Sequence, residues 1–210
     1  MTAAIAALEE AQIYNGTAAP GRVLLLESND RVGKKILATG NGKCNFTHEK
    51  ISGVSYHTDD RTVLEAVISG FPTEAALHFF ERLGMLYREK NGYFYPLPET
   101  ASTVLDVVRL RLSELGCEIS CGVLVEGIEK KSGEFQIRFA EGEKNLLVYA
   151  DSVILATGSR AGGFLQNKNT DPLGPAKCLG LRSTALYPSL TRCICREDFY
   201  YRQLAGVRSQ

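Results

Sequence analysis

The chain has 210 residues, 44% of them hydrophobic, and its 24 Lys+Arg balance 24 Asp+Glu for a formal net charge of zero. That content is enough to bury the core of one domain, or of one domain plus a small appendage, which excludes a disordered tail; the charge balance excludes an overall field that would recruit nucleic acid or anionic lipid. No apolar run reaches the roughly 20 residues a bilayer span needs, and the opening MTAAIAALEEAQ lacks the basic start and cleavage site of a secretory signal, so a cytoplasmic protein with no membrane partner is expected.

Residues 1 to about 13 read as a helix whose small apolar face (Ala3, Ala4, Ile5, Ala7, Leu8) packs closely on a sheet. NGTAAPG, from Asn15 to Gly21, is turn chemistry. VLLLE, from Val23 to Glu27, has the uninterrupted apolar run of a parallel strand buried on both faces. Helix then buried strand reads as part of a βαβ unit whose first strand the sequence does not show. A basic loop punctuated by Gly33, Gly40 and Gly42 follows.

From Asp59 the pattern turns helical, first in DDRTVLEAVIS and then in PTEAALHFFERLG, where Thr73 is expected to cap and Gly84 to terminate. MLYREKNGYFYPL predicts a hairpin about Asn91-Gly92. STVLDVVRLRLSELG is the clearest amphipathic helix, with Val104, Leu105, Val108, Leu112 and Leu115 near helical spacing and Gly116 after it. CEIS and VLVEGIEKK read as short strands. EFQIRFAEGEKNLLVYADSVILATG reads as a hairpin followed by another buried strand, Val153 to Ala156. Beyond Gly158, Pro172, Gly174, Pro175 and Gly180 are expected to interrupt any helix. Cys44, Cys117, Cys121, Cys178, Cys193 and Cys195 have no paired CxxC spacing, so buried thiols are expected and no metal.

Three segments carry candidate chemistry. Glu27 ends a strand where, in a dinucleotide fold, a carboxylate accepts hydrogen bonds from ribose hydroxyls; a solvated charge at a strand end fits the same position. In GKKILATGNGKCN, the glycines permit positive φ and close backbone approach, successive amides can form an anion-receptive nest, and Lys34, Lys35 and Lys43 add positive charge. An ordinary surface loop has the same composition, and no Walker motif is present. DSVILATG brings Ala156, Thr157 and Gly158 to the same carboxyl edge.

The stretch from Leu24 to Asn45 resembles the signature of the BaiN or HI0933-like family, flavoproteins of the glutathione-reductase-like superfamily described as NAD(P)/FAD-dependent oxidoreductases or as the aminoacetone oxidase group. The likeness continues through FPTEAALHFFERLGM, NGYFYPLPETASTVLDVVRLRLSELG, LVEGI and VILATG. It implies an α/β, Rossmann-like FAD/NAD(P)-binding domain of parallel sheet, helices and β-meander. It implies FAD as prosthetic group, with NAD(P)H as a candidate electron donor. By position, Glu27 would hold the adenosine ribose and the backbone of Val125 would meet the adenine. Lys34, Lys35 and the loop Thr39, Gly40, Asn41, Gly42, Lys43, Cys44 and Asn45 would lie along the pyrophosphate or flavin end. Ala156, Thr157 and Gly158 would line the cofactor.

Members of that family begin with a strand and a glycine-rich turn and continue through an inserted domain, so the resemblance casts residues 1–185 as a partial FAD-binding domain, with a helical and hairpin excursion at about 55–100, and residues 186–210 as the start of the insertion. The expected function is that of a fragment of an FAD-dependent oxidoreductase moving a hydride to or from a small organic substrate. The alternative is a non-enzymatic, truncated remnant that binds a nucleotide or a partner subunit. Without the glycine turn, the chain alone is expected to hold FAD poorly and to expose an apolar sheet edge open to self-association. Tyr56, Tyr93 and Tyr95 are candidates for acid–base chemistry only in principle, since packing explains each; no catalytic residue is assigned and no nucleic-acid partner is expected.

Overall fold

A computed structural model describes residues 1–14, 21–56, 58–158, 171 and 173–182. The turn expected at 15–20 and the inserted domain expected from 186 lie outside the described residues.

Helix α1 (Thr2–Tyr14) is rich in Ala, Leu and Glu, which lose little freedom in a helix. Its Ala4 and Ile5 form one buried cluster with Val108 and Leu112 of α5 (Ala101–Glu114), and Val23 and Leu25 pack against it. Strand β1 (Leu24–Glu27) pairs in parallel with β5 (Glu118–Cys121), in a register that runs from Leu24 opposite Glu118 to Glu27 opposite Cys121. Because strand side chains alternate, Leu25 faces the helices while Leu26 faces a second cluster under the β-meander. Burial on both faces therefore holds only toward the end of β1: Leu24 is 42% exposed.

The chain next makes a short helix α2 (Lys34–Ala38), a 3-10 turn (Thr39–Gly42) and β2 (Thr47–His48). Helix α3 (Arg61–Gly70) is capped by Asp60, whose carboxylate accepts from the Val63 amide at 3.0 Å. Helix α4 (Thr73–Arg82) corrects the expected cap. Pro72 holds the N-cap position, and Thr73 sits buried inside the first turn, donating its hydroxyl to the carbonyl of His48 at 2.7 Å and so fastening the helix to β2. Gly84 ends α4 as expected: its φ is +78°, its amide donates to Glu81 O at 2.8 Å and the Met85 amide to Phe80 O at 3.0 Å. Gly116 closes α5 by the same two bonds.

Strands β3 (Tyr87–Lys90) and β4 (Tyr93–Pro96) form the expected hairpin, with Asn91 at φ +54° and Gly92 at φ +81° as its two-residue left-handed turn; β2 adds to β4 in a small antiparallel sheet. Strands β6 (Val123–Lys131), β7 (Glu134–Glu141) and β8 (Lys144–Ala150) make the antiparallel meander over Val123, Ile128, Ile137 and Phe139.

Two expectations late in the chain are corrected. Residues 152–158 run on without joining a strand ladder among the described residues. Only alternate residues, Val153 and Leu155, pack on the meander cluster, and Ile154 is 60% exposed. An apolar run thus forms a one-sided strap and not a central strand among the described residues, because none of their backbone is placed to pair with it. Conversely, the prolines do not abolish the last helix: α6 (Gly174–Cys178) accepts Pro175 in its first turn, where the missing amide has no intrahelical partner to lose, and Gly180 closes it.

Leu112 is fully buried between α1 and the rest of the core. Leu112→Ala is expected to lower unfolding free energy by about 2–5 kcal/mol in chemical denaturation. On the meander, Lys131 and Arg138 hydrogen-bond the Glu129 carboxyl and hold it down at about 2. A carboxyl depressed by folding stabilises the fold above its ordinary value and loses that contribution as pH falls toward 2. Carboxyl-detected NMR should find Glu129 titrating near 2, rising toward the usual range in Arg138→Ala.

Candidate nucleotide site at the end of the parallel strands

Glu27 is the last residue of β1, half-buried, and directly beside Cys121 of β5. One of its carboxylate oxygens, Oε1, accepts from the Asn29 amide at 2.9 Å and from Asn29 Nδ2 at 2.7 Å, with Ser28 Oγ at the longer 3.5 Å. The other oxygen, Oε2, takes no hydrogen bond from the described residues. Asn29 is itself tied down, since its carbonyl accepts from the Gly122 amide at 2.7 Å, one residue beyond the end of β5. The Asn29 side-chain oxygen is buried without a partner among the described residues. The start of α1 lies within electrostatic reach: burial pushes the Met1 amino group below its ordinary value, against the opposing pull of Cys117 and Glu27.

The loop expected to meet a phosphate has an unusual backbone. Gly40 (φ +55°), Asn41 (φ +58°) and Gly42 (φ +82°) are left-handed in succession, and Cys44 (φ +54°) follows. Such geometry is costly for residues other than glycine, with Asn the most tolerant. Three internal bonds hold it: Thr39 Oγ1 to Ile36 O at 2.6 Å, the Lys43 amide to Gly40 O at 3.1 Å and the Cys44 amide to Thr39 O at 3.1 Å. Buried Cys44 anchors the loop in a cluster with Met85, Ala101 and Val104. Gly33 has a packing reason for being glycine, because a Cβ there would collide with Leu105. Gly40 backs onto Asn45, whose side-chain oxygen lies 3.1 Å from where a Cβ would stand. At Gly42 the nearest atom to such a Cβ is Leu37 O at 3.9 Å, so that side of the turn is open.

The lysines divide. Lys34 pairs with Asp30 one turn earlier, Lys43 bridges to Glu99 at 3.2 Å, and Lys35 is exposed on α2. The Lys43 hydrogen bond holds the Glu99 carboxyl below its ordinary value. Two of the three cations therefore already serve the protein's own carboxylates. Val125 sits in β6 opposite Phe139, just before a bulge that skips Glu126, and its side chain packs on the meander cluster beside Leu26. Ala156, Thr157 and Gly158 continue the strap that begins on that same cluster, and all three are exposed. Leu26, next to Glu27, thus shares one cluster with Val125 and with Val153 and Leu155 of the strap, while the loop of residues 39–45 is seated on α5. Tyr56 is exposed, Tyr93 lies edge-on to His48 at 4.6 Å, and Tyr95 belongs to β4; none is bonded to Glu27.

Sequence reasoning passed over Asn29, Cys121 and Gly122. Asn29 had a legible signal, since Asn two residues after a strand-ending acid is suited to bond the local backbone and side chains. Cys121 and Gly122 had none, because their place beside Glu27 is set by pairing across some ninety intervening positions. Cys44, Cys117, Cys121 and Cys178 are free thiols, and burial pushes the Cys117 thiol up. Among the described residues no helix is long and apolar enough to cross a membrane.

Helices packed on a parallel strand pair, an acid at its carboxyl end and a meander beyond it define an α/β protein of the Rossmann class. Residues 6–165 match the HI0933-like protein Rossmann domain, and the chain belongs to that family. It is 33% identical over 188 residues to the 3-dehydro-bile acid delta(4,6)-reductase of Clostridium scindens, covering 90% of this chain and 44% of that protein. It is 21% identical over 136 residues to the ribosomal RNA dihydrouridine synthase of Haemophilus influenzae, covering 65% of this chain and 34% of that one. The chain thus spans less than half the length of these curated relatives. The crystal structure of Thermovibrio ammonificans THI4 superposes with a TM-score of 0.41 at 16% identity, covering 75% of this chain and 54% of that one.

Gly42→Val tests the open side of the turn. A β-branched residue at φ +82° is expected to lower stability by about 1–2 kcal/mol. If the turn faces a dinucleotide, FAD affinity measured by fluorescence titration falls by more than the melting shift accounts for.

Proposed function

We propose that this chain carries the adenosine-binding and part of the flavin-binding surface of an FAD-dependent oxidoreductase. The observation that carries the reading is the Glu27 carboxylate at the carboxyl end of a parallel strand, with Oε1 held by Asn29 and Oε2 left to a ligand. A carboxylate so placed is suited to accept from ribose hydroxyls. The residues present fit the cofactor in two further respects: the Asn29 side-chain oxygen is a buried acceptor without a donor among the described residues, and the run of left-handed residues from Gly40 to Gly42 offers backbone with one open side.

In this reading Glu27 orients the adenosine ribose, the Val125 backbone meets the adenine edge, the loop from Thr39 to Asn45 with Lys34 and Lys35 lies along the pyrophosphate or flavin end, and Ala156 to Gly158 line the cofactor. Lys35, exposed on α2, is the cation best placed to meet an anionic ligand, Lys34 being engaged by Asp30 and Lys43 by Glu99. FAD, when bound, supplies hydride transfer.

The two curated relatives support a reduction as the direction of reaction. By their names, one reduces an unsaturated bile acid and the other forms dihydrouridine. Both products result from adding hydrogen across a conjugated carbon–carbon double bond. The proposed reaction is accordingly delivery of a hydride and a proton to such a bond in a small organic molecule, with NAD(P)H oxidised to NAD(P)+ as the source of the two electrons. The Haemophilus relative favours a second reading, in which the double bond lies in an RNA base; the chain's net charge of zero weighs against it, because RNA binding draws on positive surface. The location proposed is the cytoplasm. Self-association is proposed through the outer edge of β1, which pairs only with β5 among the described residues.

Glu27→Gln keeps the side chain's shape and removes its charge. It is expected to weaken FAD binding about tenfold or more, through loss of a charge-assisted hydrogen bond, while the melting temperature of the apo-protein hardly moves. A fluorescence titration of apo-protein with FAD measures this, a retention ratio being uninformative for a chain expected to hold FAD poorly by itself. Unchanged affinity would refute the ribose assignment.

A further inference from the structure

The arrangement around Glu27 goes beyond an acid at a strand end. Asn29 donates twice to one oxygen of that carboxylate, from its backbone amide at 2.9 Å and from Nδ2 at 2.7 Å. The orientation of the amide follows from charge: with the other face turned inward, its oxygen would oppose a carboxylate oxygen. Holding Nδ2 there leaves the Asn29 side-chain oxygen buried and without a partner among the described residues. A buried acceptor left unpaired is unfavourable, so the bonds to Glu27 must outweigh that cost. The backbone of Asn29 cannot drift either, because its carbonyl is fixed by the Gly122 amide at 2.7 Å, at the turn from β5 into β6.

We infer that Asn29 is the positioning residue of the nucleotide site: it takes Oε1 of Glu27 and fixes the carboxylate so that Oε2 alone is presented to the ribose. The inference rests on the ribose reading of Glu27 and adds to it a mode of grip. A carboxylate with both oxygens free would clamp a vicinal diol at two points. This one, with Oε1 already accepting two short bonds, holds one hydroxyl strongly and the other weakly. The ribose is then discriminated unequally at its two hydroxyls, and the inequality depends on Asn29, which need not touch the ligand.

The first measurement uses the full chain without ligand. The Asn29 side-chain NH2 in 15N-edited NMR is expected to be slow to exchange and to lose its protection in Glu27→Ala, which removes the acceptor. If the wild-type side-chain amide exchanges as fast as exposed asparagines, the clamp does not exist, and the inference falls while the ribose assignment stands.

The second measurement is calorimetric titration with ADP, 2′-deoxy-ADP and 3′-deoxy-ADP, with FMN as a ligand lacking adenosine. In the wild type, one deoxy analogue is expected to bind about tenfold more weakly than ADP and the other within about twofold, as one strong hydroxyl contact predicts. Asn29→Ala should weaken ADP about tenfold, bring the two deoxy analogues together and leave FMN unchanged. Asn29→Asp sets a second carboxylate against Glu27, so ADP should bind more weakly than in Asn29→Ala at neutral pH and recover as pH is lowered and the pair takes up a proton. A merely structural role for Asn29 would not produce that pH dependence.

A wild type that discriminates both deoxy analogues equally, or an Asn29→Ala that binds ADP like wild type, overturns the inference. A protected Asn29 amide together with no ADP binding by the wild type overturns the ribose reading, and the mode of grip with it.

Discussion

The hydrogen bond from the Gly122 amide to the Asn29 carbonyl, at 2.7 Å, is the constraint on which the rest of the site depends. It lies just past the last register pair of the parallel strands, Glu27 beside Cys121, and carries their association into the two loops that leave the sheet. On one side it freezes the residue that holds Glu27. On the other it fixes where β6 departs, so that Val125 arrives on the same cluster as Leu26. It adds a directional bond beyond the last rung of the ladder, where side-chain packing alone would tolerate sliding more readily.

Beneath that edge, β1 is held from two directions by alternation alone. Leu25 points to the layer of α1 and α5, and Leu26 points to the meander. The helical layer is itself pinned by Glu9 of α1, which receives Arg111 of α5 at 2.8 Å and Arg82 of α4 at 2.8 Å. Burial by itself would raise the Glu9 carboxyl, but the hydrogen bonds from Arg111 and Arg82 outweigh it and hold the group below its ordinary value. One carboxylate shared by two guanidinium groups adds directional, charge-assisted bonds between three helices to their apolar packing. The surface on which Glu27 stands therefore has a rigid backing on its helical side.

The loop after α2 combines rigid anchoring with costly backbone. Cys44 and Ile36 are packed with the start of α5, and Lys43 is bridged to Glu99 just before that helix. Between these anchors, three successive residues adopt left-handed conformations. Strained backbone persists where its surroundings over-determine it, and here the surroundings are the neighbouring helix and the loop's own hydrogen bonds. The anchoring explains why Lys43, which composition alone marks as a cation for a phosphate, is spent inside the protein. It also leaves room beside Gly42, where the nearest atom to a Cβ would be Leu37 O at 3.9 Å.

Local chemistry was sufficient to read much of this protein from its sequence. The turn at Asn91-Gly92, the ends of α4 and α5 at Gly84 and Gly116, the amphipathic spacing of α5 and the alternation of the meander all come from preferences spanning a few residues, and each stands where it was expected. The family is also legible, because the run from Leu24 to Asn45 is long and distinctive. Tertiary structure decided what depends on distant neighbours. An apolar run at Val153 to Ala156 has the composition of a buried strand, yet strand formation needs a partner backbone, and among the described residues the run joins no ladder and packs only through Val153 and Leu155. Thr73 is a residue type suited to cap, but Pro72 holds that position and the Thr73 hydroxyl donates to the carbonyl of His48. Lys34 and Lys43 have the charge of phosphate ligands, but Asp30 and Glu99 stand within reach. Glu27 was visible as an acid at a strand end. That Oε1 is held comes from a bond only two residues long, but that Asn29 is itself fixed was decided only when β5 brought Gly122 against it, because a hydrogen bond between residues so far apart in sequence leaves no periodic trace in it.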